Sequence, residues 1–172
     1  CSMPESDPVE ILENIKQYSY GKSRQQLDQI TNMIAMIRIM QLMKEIAETL
    51  GKKEDGLFYE EKENHIRKAY QALVKGKDFS LDTDRQANLI RPLYFGLLDE
   101  AQTDFARKRL IKALEHYDWR LGTGFLSTPF ILDVLEQYDL DAAYRVLENE
   151  KMPGWLFMAK SGANTIWEAW EG

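Results

Sequence analysis

The sequence predicts an all-α fold built as an array of helical hairpins. Apolar residues recur at helical spacing through most of the first 117 of its 172 positions. These stretches alternate between broad apolar arcs and narrow apolar stripes, which is typical of inner helices packed together and shielded by outer ones. Short segments rich in turn residues separate them, and no fixed-period solenoid motif occurs. The pattern therefore predicts helical hairpins and leaves open whether they close into a ring.

The first predicted helices differ in how much of their surface is apolar. A short amphipathic helix is predicted over Val9–Tyr18. The next, Ile30–Leu50, carries so broad an apolar arc that we expect it to be buried on most sides, and Gly51 is a suitable residue to end it. Glu54–Val74 has one narrow stripe beside charged residues and is predicted to lie at the surface. Met residues in the broad arc are interpreted as core filling.

Two further helices follow the same alternation. Thr83–Leu97 is mixed apolar, with Pro92 expected to kink it, and Asp82 and Asp84 are expected to cap its start. Ala101–Tyr117 is amphipathic again. The residues of this last helix predicted to be buried are Phe105, Leu110, Ala113, Leu114 and Tyr117.

After residue 117 the sequence becomes rich in glycine and hydroxyl side chains. A loop is predicted over 120–130, where Thr128 is a good N-cap and Pro129 a good first residue for the helix that follows. Asp139 is expected to cap the next helix, Leu140–Asn149. The side chains of that helix predicted to point inward are Leu140, Ala143, Val146 and Leu147.

Charge and composition exclude several classes of function. The chain has 22 Lys and Arg against 28 Asp and Glu, a net charge of −6, which argues against a nucleic-acid partner. No run of 18 apolar residues occurs, so no membrane-spanning helix is predicted. One cysteine excludes an internal disulfide framework, and His65 and His116 are interpreted as exposed helix residues. Neither a metal site nor a cofactor is predicted.

The first eight residues, 1–8, are interpreted as a tag scar or linker, because the only methionine among them is third. They carry neither the basic nor the apolar region of a signal peptide. This weakly favours a cytoplasmic location and otherwise leaves the compartment open.

The last eighteen residues hold the sharpest candidate site. They contain three of the four tryptophans, and Thr165–Trp170 is predicted to be a short extended segment. In a strand, Glu168 and Trp170 would share one face, and Trp167 would point to the other. Tryptophan faces stack on sugar rings, and a carboxylate can activate water. The alternative is a core aromatic cluster in which the carboxylate is paired.

Two motifs resemble one family of enzymes. Thr-Gly-Phe-Leu-Ser-Thr-Pro at 123–129 and Asn-Thr-Ile-Trp-Glu-Ala-Trp-Glu-Gly at 164–172 resemble bacterial α-L-rhamnosidases of glycoside hydrolase family seventy-eight. The resemblance is clear over about 30–172 and weak before that. It implies that residues 9–172 are the later part of a six-hairpin (α/α)6 barrel domain.

The resemblance also implies an activity and roles for particular residues. It implies hydrolysis of terminal α-L-rhamnosyl residues with inversion, on rhamnose-containing glycosides or polysaccharides, with Glu168 as the general base that activates water. The walls of the sugar pocket would be formed by Trp167, Trp170, Thr123 and Phe125. An inverting enzyme needs two carboxyl groups about 6.5–9.5 Å apart, so that water fits between the base and the sugar.

The sequence lacks an acidic motif that the family carries. The family's general acid lies in an upstream acidic motif, and we find no such motif in the 172 residues. We therefore expect a fragment, inactive alone, whose partner is the remainder of its barrel or a second copy. Two alternatives remain open: a non-catalytic helical-hairpin scaffold or binding module, and another (α/α)-barrel glycosidase.

Overall fold

The computed structural model describes residues 24–76, 80–124 and 126–167, with side-chain burial from Ile30 onward. Within these ranges the chain is helical and no strand occurs, which confirms the all-α prediction. No helix there combines the length and apolar character needed to cross a bilayer. The predicted helix Val9–Tyr18 and the predicted linker lie outside the described residues.

The described helices agree in order with the predicted ones, with one addition near the end. In chain order they are α1 (Arg24–Thr49), α2 (Lys53–Leu73), α3 (Gln86–Tyr94), α4 (Glu100–His116), a 3-10 helix (Thr128–Phe130), α5 (Ile131–Glu136), α6 (Leu140–Leu147) and α7 (Trp155–Lys160). Helix α7 was not predicted, because its aromatic residues are modest helix formers. The chain divides into two compact units, with the boundary between Tyr70 and Gln71.

In the first unit, α1 ends at a glycine stop and pairs with α2 as a hairpin. Gly51 has a left-handed φ of 70°, and the amide of Lys52 donates to the carbonyl of Ala47 at 2.8 Å. This is the C-terminal arrangement that glycine favours, as the sequence predicts. Across the hairpin, Lys44 Nζ lies 2.6 Å from Glu60 Oε1. Gln41 Nε2, one turn earlier in α1, donates to Glu63 Oε1, one turn later in α2, at 3.2 Å, so the two helices run antiparallel.

The expectation that the broad apolar arc of α1 is buried on most sides is wrong for the described chain. Ile34 and Ile37 are buried, whereas Met36, Ile39 and Ile46 are each about half exposed, at 47–51%. A helix that packs on one hairpin partner buries one stripe of its surface. The apolar arc of α1 is wider than that stripe, so its outer part remains exposed.

In the second unit, paired helices enclose a continuous apolar core. Helix α3 packs on α4, α5 packs on α6, and α3 also contacts α5 and the 3-10 helix. Helix α4 begins with a capping box between Asp99 and Gln102. Helix α6 is capped by Asp139, as predicted, whose carboxylate accepts from the amide of Ala142 at 2.9 Å. The core side chains with essentially no exposure include Leu89, Ile90, Leu97, Leu110, Leu114, Ile131, Leu135 and Val146.

Four apolar residues predicted to be buried in these helices are exposed instead, one of them Leu147 at the end of α6, which is 39% exposed. Phe105 on α4 is 46% exposed, and Leu140 at the start of α6 is 57% exposed. Tyr117, just after α4, is 38% exposed. Each lies toward the end or edge of an apolar stripe, where periodicity alone does not determine which residue faces the neighbouring helix. The predicted burial of Leu110, Ala113 and Leu114 is confirmed.

Asp82 and Asp84 do not cap α3, contrary to the prediction. The helix begins at Gln86 after Arg85, whose side chain makes no capping bond. Asp82 Oδ1 lies 2.7 Å from Arg109 Nε, and Asp84 Oδ1 lies 2.8 Å from Arg109 Nη2. The guanidinium of α4 therefore binds carboxylates that local sequence would assign to capping, because charge-assisted hydrogen bonds are stronger than neutral ones.

This cluster predicts a dependence of stability on pH. Hydrogen bonds from Arg109 and then from His116, whose Nδ1 lies 3.0 Å away, lower the pKa of the Asp84 carboxyl. A carboxyl whose folded pKa is depressed stabilises the fold above its unfolded pKa, about 3.9, and loses that contribution as the pH falls through the folded value. Asp84→Asn should therefore destabilise the chain near neutral pH, and its difference from wild type should shrink at low pH.

Urea unfolding of both proteins across this pH range measures the difference. The exposed carboxylate of Asp133 on α5 offers a matched control, Asp133→Asn. An Asp84→Asn deficit that stays constant down to about pH 2 would contradict the expected linkage.

Candidate functional site

The glycine-rich loop after α4 is held by one buried glutamine of α3. Gln86, 1% exposed, accepts at Oε1 from the amide of Gly122 at 2.8 Å and donates from Nε2 to the carbonyl of Arg120 at 3.0 Å. A Cβ on Gly122 would lie 3.0 Å from the Gln86 side chain, so glycine allows this close approach. The Gln86 amide therefore determines the path of the loop before Thr123.

A second side chain of α3 fixes the far end of the same loop. Arg91 Nε donates to Ser127 Oγ at 2.8 Å, and Ser127 is fully buried. The amide of Ser127 in turn donates to the carbonyl of Gly124 at 2.9 Å. One helix therefore holds the loop at both ends, at Arg120 and Gly122 on one side and at Ser127 on the other.

The loop also joins the turn that precedes α7. The amide of Leu121 donates to the carbonyl of Pro153 at 2.9 Å, and Arg120 Nη1 lies 3.3 Å from the carbonyl oxygen of Met152. The next residue, Gly154, sits so close to two backbone carbonyls that a Cβ would approach them to 2.7 and 2.8 Å. Residues from two distant parts of the sequence are therefore locked together beside Thr123.

Thr123 and Thr128 use their hydroxyls within the loop. Their Oγ1 atoms lie 2.7 Å apart, and Thr123 is 8% exposed. Thr128 was predicted as an N-cap but is the first residue of the 3-10 helix, and its hydroxyl also contacts the carbonyl of Gly124 at 3.1 Å. Pro129 is consequently the second residue of that helix rather than the first. The Thr128 hydroxyl is therefore bonded to loop residues Thr123 and Gly124, and it does not cap the helix that follows.

The structure describes part of the predicted sugar site. Trp167 is half-buried, and its ring meets Phe157 of α7 edge to face, with centroids 6.2 Å apart and planes at 82°. A turn follows α7, in which Gly162 has a left-handed φ of 81°. Thr165 to Trp167 form no regular element. Glu168, Trp170 and Phe125 lie outside the described residues, so their predicted roles stay predictions.

An aromatic cluster next to the loop was missed by the sequence analysis. Tyr94 and Phe130 stack with ring centroids 4.2 Å apart and planes at 24°, and Phe95 meets Phe130 edge to face at 5.5 Å. Phe130 belongs to the 3-10 helix that continues the loop. The adjacent aromatics at the end of α3 are a signal that could have suggested a contact, but not its partner.

The two polar side chains that hold the loop, Gln86 and Arg91, were also missed. Both lie on α3, where apolar residues at helical spacing predict a partly buried helix. The signal available in the sequence is a polar residue within that apolar pattern. Among the described residues no cluster of three or more side chains suited to bind a metal ion occurs. The described parts of the site are hydroxyls, backbone groups and an aromatic ring, which suit contact with a sugar.

Gln86 should contribute strongly to stability, because its loss would leave a buried amide and a buried carbonyl without partners. We expect Gln86→Leu, which keeps most of the volume, to lower the free energy of unfolding by about 2 kcal/mol. Asn88→Ala, at an exposed position of the same helix, should change it little. Chemical denaturation compares the three proteins, and equal effects of the two substitutions would contradict the assignment.

Comparisons with known proteins identify the domain. The family model for the bacterial α-L-rhamnosidase six-hairpin glycosidase domain matches residues 12–172. An α-L-rhamnosidase of Formosa agariphila is 36% identical over 131 residues, covering 75% of this chain. The chain spans 12–15% of the length of the curated relatives it matches.

Solved structures agree with this match. The α-L-rhamnosidase of Streptomyces avermitilis, crystallised with L-rhamnose, aligns with a TM-score of 0.72 at 32% identity, over 81% of this chain and 13% of that one. The native enzyme of Aspergillus terreus aligns with a TM-score of 0.72 at 28% identity, over 78% of this chain and 16% of that one. The helical hairpins are part of a six-hairpin (α/α) barrel, and the chain belongs to the family of the bacterial α-L-rhamnosidase six-hairpin glycosidase domain.

Proposed function

We propose that residues 9–172 form part of the catalytic barrel of an inverting enzyme that removes terminal α-L-rhamnosyl residues from glycosides or polysaccharides. The observation that carries this proposal is the family match over 12–172. The loop at 120–127, with its bonds to α3 and to Pro153, provides the rigid support that such a pocket requires. The relatives named above are α-L-rhamnosidases, which favours this proposal over another (α/α)-barrel glycosidase or a non-catalytic scaffold.

In this proposal Glu168 is the general base. Its carboxylate takes a proton from water as the water attacks the anomeric carbon from the face opposite the leaving group. A second carboxyl group, about 6.5–9.5 Å away, protonates the departing oxygen. The product leaves with inverted configuration, because a single displacement occurs at the anomeric carbon.

The walls of the pocket have two kinds of residue. Trp167, Trp170 and Phe125 supply aromatic faces against the apolar side of the sugar ring. Thr123 acts from within the loop, since its hydroxyl is shared with Thr128 and its side chain is buried. The edge-to-face contact with Phe157 supports the place of Trp167 in this wall.

The general acid in this proposal comes from outside the 172 residues. We expect it in an upstream acidic motif, as the resemblance implies, and we find no such motif in the 172 residues. The partner of the chain is accordingly the rest of its barrel. The exposed apolar arc of α1, which includes Met36, Ile39 and Ile46, is compatible with a missing partner surface.

Hydrolysis of an aryl α-L-rhamnoside tests the proposal. The 172-residue chain alone should show negligible turnover, and a longer protein that carries it together with the upstream motif should hydrolyse the substrate. Proton NMR of the fresh product should show the β-anomer of rhamnose first. Initial release of the α-anomer would refute inversion, and turnover by the short chain would refute the missing acid. A longer protein that cleaves other glycosides but no rhamnoside would refute the substrate.

A further inference from the structure

An open groove lies on the second unit, just before the glycine-rich loop. It has a volume of about 570 Å³ and is lined by Trp119, Asp139, Asp141, Ala142, Tyr144 and Arg145. We propose that this groove binds a pyranose residue of the glycan, at a subsite distinct from the Glu168 pocket. The inference takes its ligand class from the proposed function above, and it adds a site to which no role has been assigned.

The indole of Trp119 is held in place from both its backbone and its ring. Asp118 and Trp119 have left-handed φ values of 57° and 60°, a conformation that a bulky side chain such as Trp rarely adopts. The amide of Trp119 donates to the carbonyl of Leu114 at 2.7 Å, and the guanidinium of Arg145 lies 4.7 Å from its ring centroid. The ring is thus preorganised, which reduces the entropy lost when a ligand binds.

Asp118, the residue before Trp119, is also held by contacts with residues that follow α6. The carbonyl of Asp118 accepts from Asn149 Nδ2 at 2.7 Å, and its carboxylate pairs with Lys151. The hairpin end after α6 therefore supports the strained pair. Strained backbone is retained where surrounding contacts hold it, and it is concentrated at functional sites.

The groove offers polar groups beside the aromatic ring. Asp139 is already used, because its carboxylate caps α6 through the amide of Ala142. Asp141 and Tyr144 are exposed, with Tyr144 at 53%, and Arg145 is exposed as well. A carboxylate that accepts, a guanidinium that donates and a phenol that does both match the vicinal hydroxyls of a sugar. Aromatic rings with such groups at their edge are suited to bind a carbohydrate.

The groove is also close to the proposed pocket along the chain. Trp119 and Thr123 are four positions apart in the sequence, so their Cα atoms are at most about 14 Å apart. Gln86 and Pro153 bind the backbone between them. A glycan whose terminal residue enters the pocket is therefore within reach of the groove with one of its inner residues.

Affinity gel electrophoresis of the 172-residue chain tests the groove, with soluble α-L-rhamnan in the gel and dextran as the control polymer. Trp119→Gly removes the indole and suits the left-handed backbone, so it should fold and should weaken retardation by rhamnan about 3- to 10-fold. Trp119→Tyr should retain most of the binding. Phe105→Ala removes an exposed aromatic on α4 outside the groove and should leave binding unchanged. Thermal unfolding by circular dichroism checks that each variant is folded.

A separate variant distinguishes failure of the groove from failure of the proposed function. Equal retardation of wild type and Trp119→Gly would overturn the proposal that the groove binds a sugar. If Trp167→Ala reduces retardation in the same gels, the proposed Glu168 pocket still stands. Absence of any retardation of the wild type would also overturn the groove, while hydrolysis by the longer protein would still decide the function. Equal retardation by dextran would overturn the ligand class.

Discussion

Replacing Glu168 by Gln should lower kcat by about 10²- to 10⁴-fold in a protein that carries this chain and hydrolyses an aryl α-L-rhamnoside. The amide has nearly the shape of the carboxylate but cannot accept the proton of the attacking water. The loss corresponds to about 3–5 kcal/mol of transition-state stabilisation. KM should change little, because the substitution removes an interaction needed for the chemical step rather than for binding. Steady-state kinetics with an aryl rhamnoside measures both constants.

Glu171 provides the matched control for this experiment. It lies three residues after Glu168, and Glu171→Gln makes the same chemical change at a position without an assigned role. Its kcat should stay within a few-fold of wild type. The acidic limb of the pH profile, which reports deprotonation of the general base, should disappear in Glu168→Gln and persist in Glu171→Gln. Equal losses in the two variants would refute the role of Glu168.

Gly154→Ala should lower the free energy of unfolding by about 2–3 kcal/mol. The new Cβ would approach the carbonyl oxygens of Asn149 and Lys151 to 2.7 and 2.8 Å, and backbone atoms cannot rotate away as a side chain could. The φ of Gly154 is −168°, an extended value open to any residue, so the cost comes from the contact rather than from backbone strain. Urea unfolding of the chain measures the difference.

Gly124→Ala is the matched control for Gly154→Ala. An added Cβ at Gly124 would have no heavy atom within 4 Å, and its φ lies outside the left-handed region. This variant should be neutral or slightly more stable, by up to about 1 kcal/mol, because alanine restricts the unfolded chain. Because Pro153 accepts from the amide of Leu121, Gly154→Ala should also loosen the loop, seen as faster amide exchange at Leu121. Equal stability of the two variants would contradict the packing argument.

Much of the helical framework was predictable because its signals are local. Gly51 ends α1 and Asp139 caps α6 as expected, since each bond joins residues no more than five positions apart. Hydrophobic periodicity located α2 and α4 to within a few residues. The errors concern contacts with distant residues. Asp84 was assigned to a cap because its sequence neighbours suggest one, but Arg109, 25 positions later, binds it.

The chemistry of the candidate site was predictable, whereas the contacts that hold its loop in place were not. The motifs at 123–129 and 164–172 pointed to a sugar site and to the family, and the family match confirms the second of these. Gln86 and Arg91 were not found, because a polar residue in an apolar helix does not reveal which backbone groups it will bind. The same holds for the strained Trp119, whose φ depends on bonds to Leu114 and on the support of Asn149 at Asp118.

The sequence by itself determined the all-helical class, the ends of several helices and, through two motifs, the family to which the chain belongs. These features depend on local propensity, capping and residue identity. Only the tertiary structure decided that α3 holds the glycine-rich loop, that Pro153 meets Leu121, and that a groove opens beside Trp119. Each of these brings together backbone or side-chain groups more than 20 positions apart, and such pairings are decided by the packing of helices rather than by any local pattern.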